Sequence, residues 1–462
     1  MGNAAQGEVI ANIHPLLKEI AALFAAEGKE VYLVGGAVRD IFRGGKAQDW
    51  DLATNATPEE VIALFRRERW RVIPTGIRHG TVTVHYKGHD LEVTTFRTES
   101  DYQDGRHPEK VVYAATIEED LSRRDFRMNA IALHLPDGEP VDPFGGRGDI
   151  KKKLIRCVGD PAERFTEDGL RPLRGVRFAA QLGFTFDPPT LDAIPRALPV
   201  TAGVSPERVR DELDKIIGSP NPAAAFRLME QCGLLKLILP ELADCRGVDQ
   251  KGYHQFDVLD HSLLACDYAG REGYPLEVGL AALFHDIGKP AVRKLDETGI
   301  WTFYQHEKVS AEIAKKILTR LRYSNAQIDA VCHLIEEHMF HYEEIWSDAA
   351  VRRFIIRTGE ENLENLYRLR LCDAYGMAGI EPGGDFLIPL LSRVDTVLVG
   401  SNAFSLKDLA VSGRDLLAAG VKPGKYIGII LNELLETVVD DPESNTREKL
   451  LEIAGNLNKR YI

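Results

Sequence analysis

The stretch EVYLVGGAVRDIFRGGKAQDWDLAT (residues 30–54) decides how the chain begins to fold. EVYLVGG reads as a short buried strand ending in glycines, and AVRDIFRG as a helix that opens directly after it. DWDLAT reads as a second strand. Asp49 and Asp51 stand two apart on it, so both side chains leave the same face. Paired carboxylates repel when both are ionised, and a divalent cation removes that cost. Hard oxygen ligands suit magnesium, which takes one or two carboxylates and completes its shell with substrate phosphates. Two such ions can activate an attacking hydroxyl and neutralise a leaving pyrophosphate. Gly35 and Gly36 lie at the strand–helix junction, where glycines let backbone approach a triphosphate and a helix start offers N–H groups. Arg39 adds a candidate bidentate phosphate contact.

Around this stretch the pattern is mixed. Ile13, Leu16, Leu17, Ile20, Leu23 and Phe24 repeat with helical period over 13–28. A helix is expected over Pro58–Arg67, and strands near 71–74, 80–86 and 89–96, with a hairpin turn at Lys87-Gly88. The head is therefore α+β with a sheet of about five strands. Glu92, in DLEVTTF, is the candidate third carboxylate from a neighbouring strand, the alternative being a solvent-facing acid. From Pro161 onward the signal is helical to the end, with turns at Gly247, Gly273, Gly383-Gly384 and Gly424.

The chain of 462 residues exceeds one typical core, so two to four domains are expected. Its 44% hydrophobic and 27% charged residues are those of an ordinary globular protein. No apolar run of 18 residues implies a membrane span, and the start MGNAAQGEVI lacks the pattern of a secretory leader or, at Gln6, of a myristoylation signal. Six cysteines without C-x-x-C spacing read as reduced thiols of a cytoplasmic protein. A net charge of −13 argues against a nonspecific nucleic-acid binder, though not against a local basic surface.

Six ordered motifs resemble the class II tRNA nucleotidyltransferase and bacterial poly(A) polymerase family, within the polymerase-β-like superfamily. They are LVGGAVRD (33–40), DWDLAT (49–54), TTFRTES (94–100), RRDFRMNAIAL (123–133), DPFGG (142–146) and RFTEDGLRPLRGVRFAAQLGF (164–184). The pattern VSGRDLL…GVKPGKYIG (411–428) resembles the family's tail. The resemblance implies that Gly36, Arg39 and Arg124 contact the incoming nucleotide and that Asp49 and Asp51 carry metals. It also implies that Asp168 and Arg171 read the base and that Arg174 and Arg177 face the triphosphate. As neighbours at i and i+3 on a helix, Asp168 only accepts hydrogen bonds and Arg171 only donates them. Cytosine and adenine each offer an amino donor beside a ring-nitrogen acceptor, whereas uracil and guanine present the opposite order. Such a pair selects C and A without a template. Its alternative is an ordinary surface ion pair.

A second constellation, His261, His285-Asp286 and Asp373, resembles the HD superfamily of metal-dependent phosphohydrolases, with His306 and His338 between. Imidazole with carboxylate suits Mn²⁺, Fe²⁺, Co²⁺ or Ni²⁺. Lys289 is a candidate phosphate ligand, and hydrolysis of a 2′,3′-cyclic phosphate or a phosphomonoester is the activity implied. The expected order is a nucleotidyltransferase head (1–148), a helical neck and body with the base-selecting motif (149–250), an HD domain (251–376) and a helical, tRNA-binding tail (377–462).

The expected function is addition of C, C and A to tRNA 3′ ends, with Mg²⁺, CTP, ATP and the tRNA acceptor–T arm as partners, no membrane, and a homodimer left open. Lys151-Lys152-Lys153 reads as a solvated loop more readily than as an RNA contact. The full-length loop RTESDYQDGRHPEKVVYAATIEEDL (97–121), tied in the family to adding the terminal A, disfavours a CC-only enzyme. Poly(A) polymerase, an A-only enzyme, an HD phosphohydrolase with an RNA-binding head and a noncatalytic RNA scaffold are the competing readings.

Overall fold

The computed structural model describes residues 13–461 apart from 46–48, 78–79, 103–107, 251–254, 344, 384, 386 and 401–404. The N-terminal segment read for a leader and the tip of the 97–121 loop lie outside the described residues. Contacts divide the chain into two compact units, Met1–Ala243 and Asp244–Ile462.

In the first unit, helix α1 (Pro15–Ala26) is capped by the His14 side chain and buries Leu16, Leu17, Ile20 and Phe24. Strand β1 (Val31–Val34) is buried throughout, and α2 (Gly36–Phe42) opens after it. β2 (Trp50–Thr54) follows, then α3 (Pro58–Arg67), which starts at a reciprocal Thr57–Glu60 capping box. β3 (Arg71–Gly76), β4 (Thr81–Tyr86) and β5 (His89–Thr95) follow closely where alternation places them. The β4–β5 turn carries positive φ at both Lys87 (49°) and Gly88 (80°), the backbone that matches strand twist in a two-residue hairpin.

β6 (Arg97–Tyr102) and β7 (Pro108–Tyr113) form a separate antiparallel ribbon, and β8 (Ala132–His134) and β9 (Pro140–Val141) return to the main sheet. The sheet has seven strands in the order β3-β4-β5-β2-β1-β8-β9, rather than about five. β8 and β9 are only three and two residues long, too short for alternation to show. Pairing of Tyr32 with His134 across about a hundred residues fixes them in place.

Helices α4 (Ile117–Ser122) and α5 (Gly146–Lys152) complete the head. Five helices then open on a proline in their first turn: α6 (Pro161–Glu167), α7 (Arg171–Leu182), α8 (Pro188–Thr201), α9 (Pro206–Ile217) and α10 (Pro222–Gln231). Proline suits that turn because its missing N–H has no partner there anyway.

The second unit is almost wholly helical. Its main helices are α11 (Val258–Arg271), α12 (Leu276–Phe284), α13 (His306–Arg320), α14 (Asn325–Glu337), α15 (Asp348–Thr358) and α16 (Leu363–Ala378). A C-terminal group follows: α17 (Ile388–Gly400), α18 (Lys425–Asp440) and α19 (Arg447–Tyr461). Leu416, Ile430, Leu434, Leu450 and Ala454 form the core between its last helices. α11 and α16 pack so closely that a Cβ on Gly376 would stand 2.8 Å from the His261 carbonyl. The six cysteines, all described, form no disulfide, and five are buried. No described helix is long and apolar enough to cross a membrane.

Candidate functional site

A cleft of 710 Å³ in the first unit is lined by Gly36, Arg39, Asp49, Asp51, Arg124, Asp168, Arg171, Arg174 and Arg177 together. These nine residues were singled out in four separate stretches of sequence. Gly35 forms the hinge between β1 and α2 with φ +73°, and a Cβ there would lie 3.2 Å from Asp51 Oδ2 and 3.4 Å from Arg124 Nη1. Only glycine leaves both groups in place at that backbone conformation.

Asp49 precedes β2 and Asp51 lies on it, flanking the buried Trp50. Asp51 pairs in register with Glu92 on the parallel strand β5. Desolvation, and then the charges of Glu92 and Asp49, raise the Asp51 carboxyl above its ordinary range, while Arg124 opposes them. That uncompensated negative charge is what a divalent cation relieves, so the donor set fits magnesium. Glu92 stands beside Asp51 but does not line the cleft. Among the described residues, three donors with ligand atoms within 4.8 Å of one another occur only in the second unit.

Arg39 is held by both oxygens of Asp40 at 3.0 Å and by Asn129 at 3.1 Å, with its guanidinium 5.3 Å from the Phe178 ring centre. Arg124 donates to the buried Asp120 at 3.3 Å. Arg174 pairs with Asp125 at 2.8 Å, and Arg177 with Glu212 at 2.5 Å. Burial alone would raise the Asp125 carboxyl, yet Arg174, with help from Arg171 and Asn129, holds it at about 2.

The expected base-reading pair is built differently. Asp168 and Arg171 are not on one helix: Asp168 ends α6 in extended backbone (φ −139°, ψ 108°), and α7 begins at Arg171. The chain turns between them because Gly169 packs under the Val200 carbonyl and Pro172 opens a new helix. Asp168 instead accepts from Arg208 Nη2 at 2.8 and 3.1 Å and from the Leu170 N–H at 3.0 Å. Arg171 donates to Glu167 at 2.6 Å and to the carbonyls of Arg164 and Arg123 at 2.9 and 3.0 Å. Glu167 also pairs with Arg164 at 2.8 Å, in keeping with a structural part for both.

Sequence reasoning missed Asp125, Asn129, Arg208 and Glu212. Asp125 and Asn129 stand inside the RRDFRMNAIAL motif already singled out. Arg208 and Glu212 share a face of α9 at i, i+4 spacing, but their partners lie 40 and 35 residues away. No local pattern reports such a distance.

In the second unit His261, His285, Asp286 and Asp373 converge on one buried point. His261 Nε2 lies 2.9 Å from His285 Nε2, 3.2 Å from Asp286 Oδ2 and 3.3 Å from Asp373 Oδ1. Ligands about 2.1 Å from one ion stand about 3.0–3.4 Å apart, so the spacing fits a cation. His285, His306 and His338 each direct Nδ1 at a carbonyl of the preceding turn, at 2.9, 2.9 and 2.7 Å, which leaves Nε2 facing inward. Burial and the neighbouring His285 push His338 down to about 3, so its Nε2 keeps a lone pair at neutral pH. His306 Nε2 lies 3.0 Å from Asp286 Oδ1, and Asp286, His306 and His338 form a second three-donor group. Lys289, read as a phosphate ligand, is buried instead against Asp286 Oδ2 at 2.6 Å and Gln250 at 2.5 Å. One helical turn after Asp286, its amine neutralises that carboxylate where no water reaches it.

Residues 31–156 match the Poly A polymerase head domain family, and 183–246 match the segment called "Probable RNA and SrmB- binding site of polymerase A". Residues 294–454 match tRNA nucleotidyltransferase domain 2. The chain is 34% identical to the CCA-adding enzyme of Limosilactobacillus reuteri over 435 residues, 94% of each protein. It is 47% identical to the CCA-adding enzyme of Geobacillus stearothermophilus over 216 residues, a match spanning 47% of this chain and 52% of that enzyme. The crystal structure of the Bacillus stearothermophilus CCA-adding enzyme in complex with CTP superposes with a TM-score of 0.74 at 29% identity, covering 97% of this chain and 99% of that one.

Proposed function

The chain belongs to the CCA-adding tRNA nucleotidyltransferase family, and from that premise we propose that it adds C, C and A to tRNA 3′ ends, from CTP and ATP, by template-independent two-metal transfer in the cleft of its first unit. The observation that carries this reading is the presence, in one cleft, of the carboxylates Asp49 and Asp51 with an acceptor at Asp168 and a donor at Arg171. Asp168 Oδ2 receives one hydrogen bond, from Arg208, so it keeps a lone pair for an exocyclic amino group. Among the described residues Arg171 spends three of its five N–H donors, and the remainder serve a ring nitrogen or carbonyl. Cytosine and adenine satisfy both groups, while uracil and guanine leave both unpaired.

Asp49 and Asp51, with Glu92 adjoining, hold the magnesium, whose chemistry when bound is to activate the primer hydroxyl and neutralise the departing pyrophosphate. Arg39, Arg124, Arg174 and Arg177 position the triphosphate. Each is already fixed by an acidic or amide partner, so little reorganisation is needed when the nucleotide arrives. The β6–β7 ribbon lies within the 97–121 loop that the family resemblance ties to the terminal A, which supports full CCA addition. The helical remainder, with its tail over 377–462, holds the acceptor–T arm.

Incubation with tRNA lacking its 3′ end, magnesium and single labelled nucleotides, followed by sequencing of the products, tests the reading. CTP alone should add two residues, and CTP with ATP should add three. Addition of A only, or of an A homopolymer, would overturn it.

A specific cluster supports a second activity. The buried His261, His285, Asp286 and Asp373 support our reading of residues 251–376 as a metal-dependent phosphohydrolase of HD type, which would take Mn²⁺, Ni²⁺, Co²⁺ or Fe²⁺ and a 2′,3′-cyclic phosphate or a phosphomonoester as substrate. Protein loaded with manganese or nickel that hydrolyses neither substrate would refute it.

A further inference from the structure

We propose that a cationic face formed by the end of α2, by α5 and by the turn after α5 binds the phosphate backbone of the RNA primer. A groove of 700 Å³ there is lined by Phe42, Arg43, Arg147, Lys151, Lys153 and Phe184, among others. It meets a second groove of 640 Å³ at Arg43 and Leu182, and that groove reaches Asp49 and Asp51. A continuous path therefore leads from the metal carboxylates to the four cations.

Three features set this face apart on a chain of net charge −13. First, Arg147, Lys151 and Lys153 have no carboxylate partner among the described residues, whereas the arginines named in the nucleotide cleft each have a fixed partner. The one carboxylate lining the groove, Asp142, is occupied by the backbone N–H groups of Gly146 and Arg147 at 2.7 and 3.0 Å. Second, two of the cations are oriented by aromatic rings, and of these only Arg43 also has a carboxylate near it, Asp40 at 3.4 Å. The Arg147 guanidinium sits 5.1 Å from the Phe42 ring centre, and that of Arg43 sits 5.7 Å from Phe184. Third, Lys153 ends α5 in left-handed backbone (φ 54°, ψ 46°), where glycine is the low-cost residue. A lysine kept there projects an ammonium group at some backbone cost.

The face shares no lining residue with the base-reading cleft, so a mononucleotide seated by its base there is not the ligand that needs it. A primer strand whose 3′ hydroxyl must arrive at Asp49 and Asp51 does extend beyond the cleft, and its backbone offers one phosphate per nucleotide. RNA helices are gripped mainly through such backbone contacts.

The proposal rests on the reading that the chain acts on tRNA. The test is binding of tRNA lacking its 3′ CCA, by fluorescence anisotropy over a series of salt concentrations, to the full chain and to an Arg147→Ala/Lys151→Ala/Lys153→Gly variant. The variant should bind at least about tenfold more weakly, with a salt slope shallower by about 2–3, close to one unit for each lost phosphate contact. CTP affinity, measured without RNA, should not move. Single Lys153→Gly removes an ammonium while relieving a left-handed lysine, so it should keep its melting temperature and lose about one unit of slope. Unchanged tRNA affinity and slope in both variants would overturn the proposal, as would a fall in CTP affinity equal to that for RNA, which would make the triphosphate the occupant. Failure of the unmodified chain to bind tRNA would instead sink the underlying functional reading.

Discussion

Replacing Asp168 by asparagine keeps the shape of the side chain and removes its charge. The carboxylate accepts three hydrogen bonds, two from Arg208 Nη2 and one from the Leu170 N–H, and retains a lone pair on Oδ2 for the base. An amide keeps one oxygen and turns the other position into a donor. If its oxygen stays on Leu170, the NH₂ group faces both Arg208 and the base, and a cytosine or adenine amino group meets a donor. A hydrogen bond to a charged group is worth about 1.5–3 kcal/mol, which is about 10- to 150-fold in an equilibrium or rate constant. Selection of CTP over UTP, as a ratio of kcat/KM values in single-nucleotide incorporation, should therefore fall by about that factor. The fold should scarcely notice. The Asp168–Arg208 pair is partly solvated, with side chains 19% and 24% exposed. Its loss should cost about 1 kcal/mol or less, a shift of about 2–4 °C or less in melting temperature. An unchanged CTP/UTP ratio in a variant that melts normally would refute the assignment. Equal loss with all four nucleotides would also refute it, by showing that Asp168 serves catalysis or positioning rather than base choice.

Asp51→Asn should lower kcat by at least about 10³-fold, the several kcal/mol supplied by metal-held charge, while direct CTP binding stays within a fewfold; full turnover by this variant would contradict the metal assignment. Asp125, held at about 2 by Arg174, contributes stability that is fully present above the usual carboxylate value near 4 and is lost as pH falls through about 4 to 2. The amount is about 2 kcal/mol, so urea unfolding between pH 6 and 2.5 should show an acid-sensitive component that Asp125→Asn removes, and parallel curves would exclude it. Manganese at about a hundred times its Kd should stabilise EDTA-treated protein by about 2.7 kcal/mol, seen as a rise in melting temperature that His285→Gln abolishes; no rise in the unmodified protein would argue against a metal at the His261–Asp373 cluster.

The local chemistry was legible along the chain. Strand β1, the glycine junction, helix α3 with its Thr57–Glu60 box and the Lys87-Gly88 turn each follow from a few adjacent residues. Short-range sterics and capping bonds act over one turn or one hairpin. Asp49 and Asp51 were chosen by residue type and spacing and the arginines of α7 through the family resemblance of their motif, and the cleft holds all of them. The histidine–carboxylate pattern likewise named four residues that the fold brings together from helices more than 100 positions apart.

What the tertiary structure alone decided are the partners. The sequence suggested Asp168 with Arg171, because i, i+3 residues meet on a helix. The break at Gly169 and the packing of α7 against α9 gave Asp168 to Arg208 and Arg171 to Glu167. Lys289 went to Asp286 rather than to a phosphate, because a buried ammonium and a buried carboxylate cannot be left apart. The cations beside Phe42 and Phe184 became a surface only when α2 and α5 were placed side by side. Residue type and spacing thus determined the kind of chemistry available, since each depends on local geometry. Which charge answers which depends on long-range packing, and that is set by the whole fold.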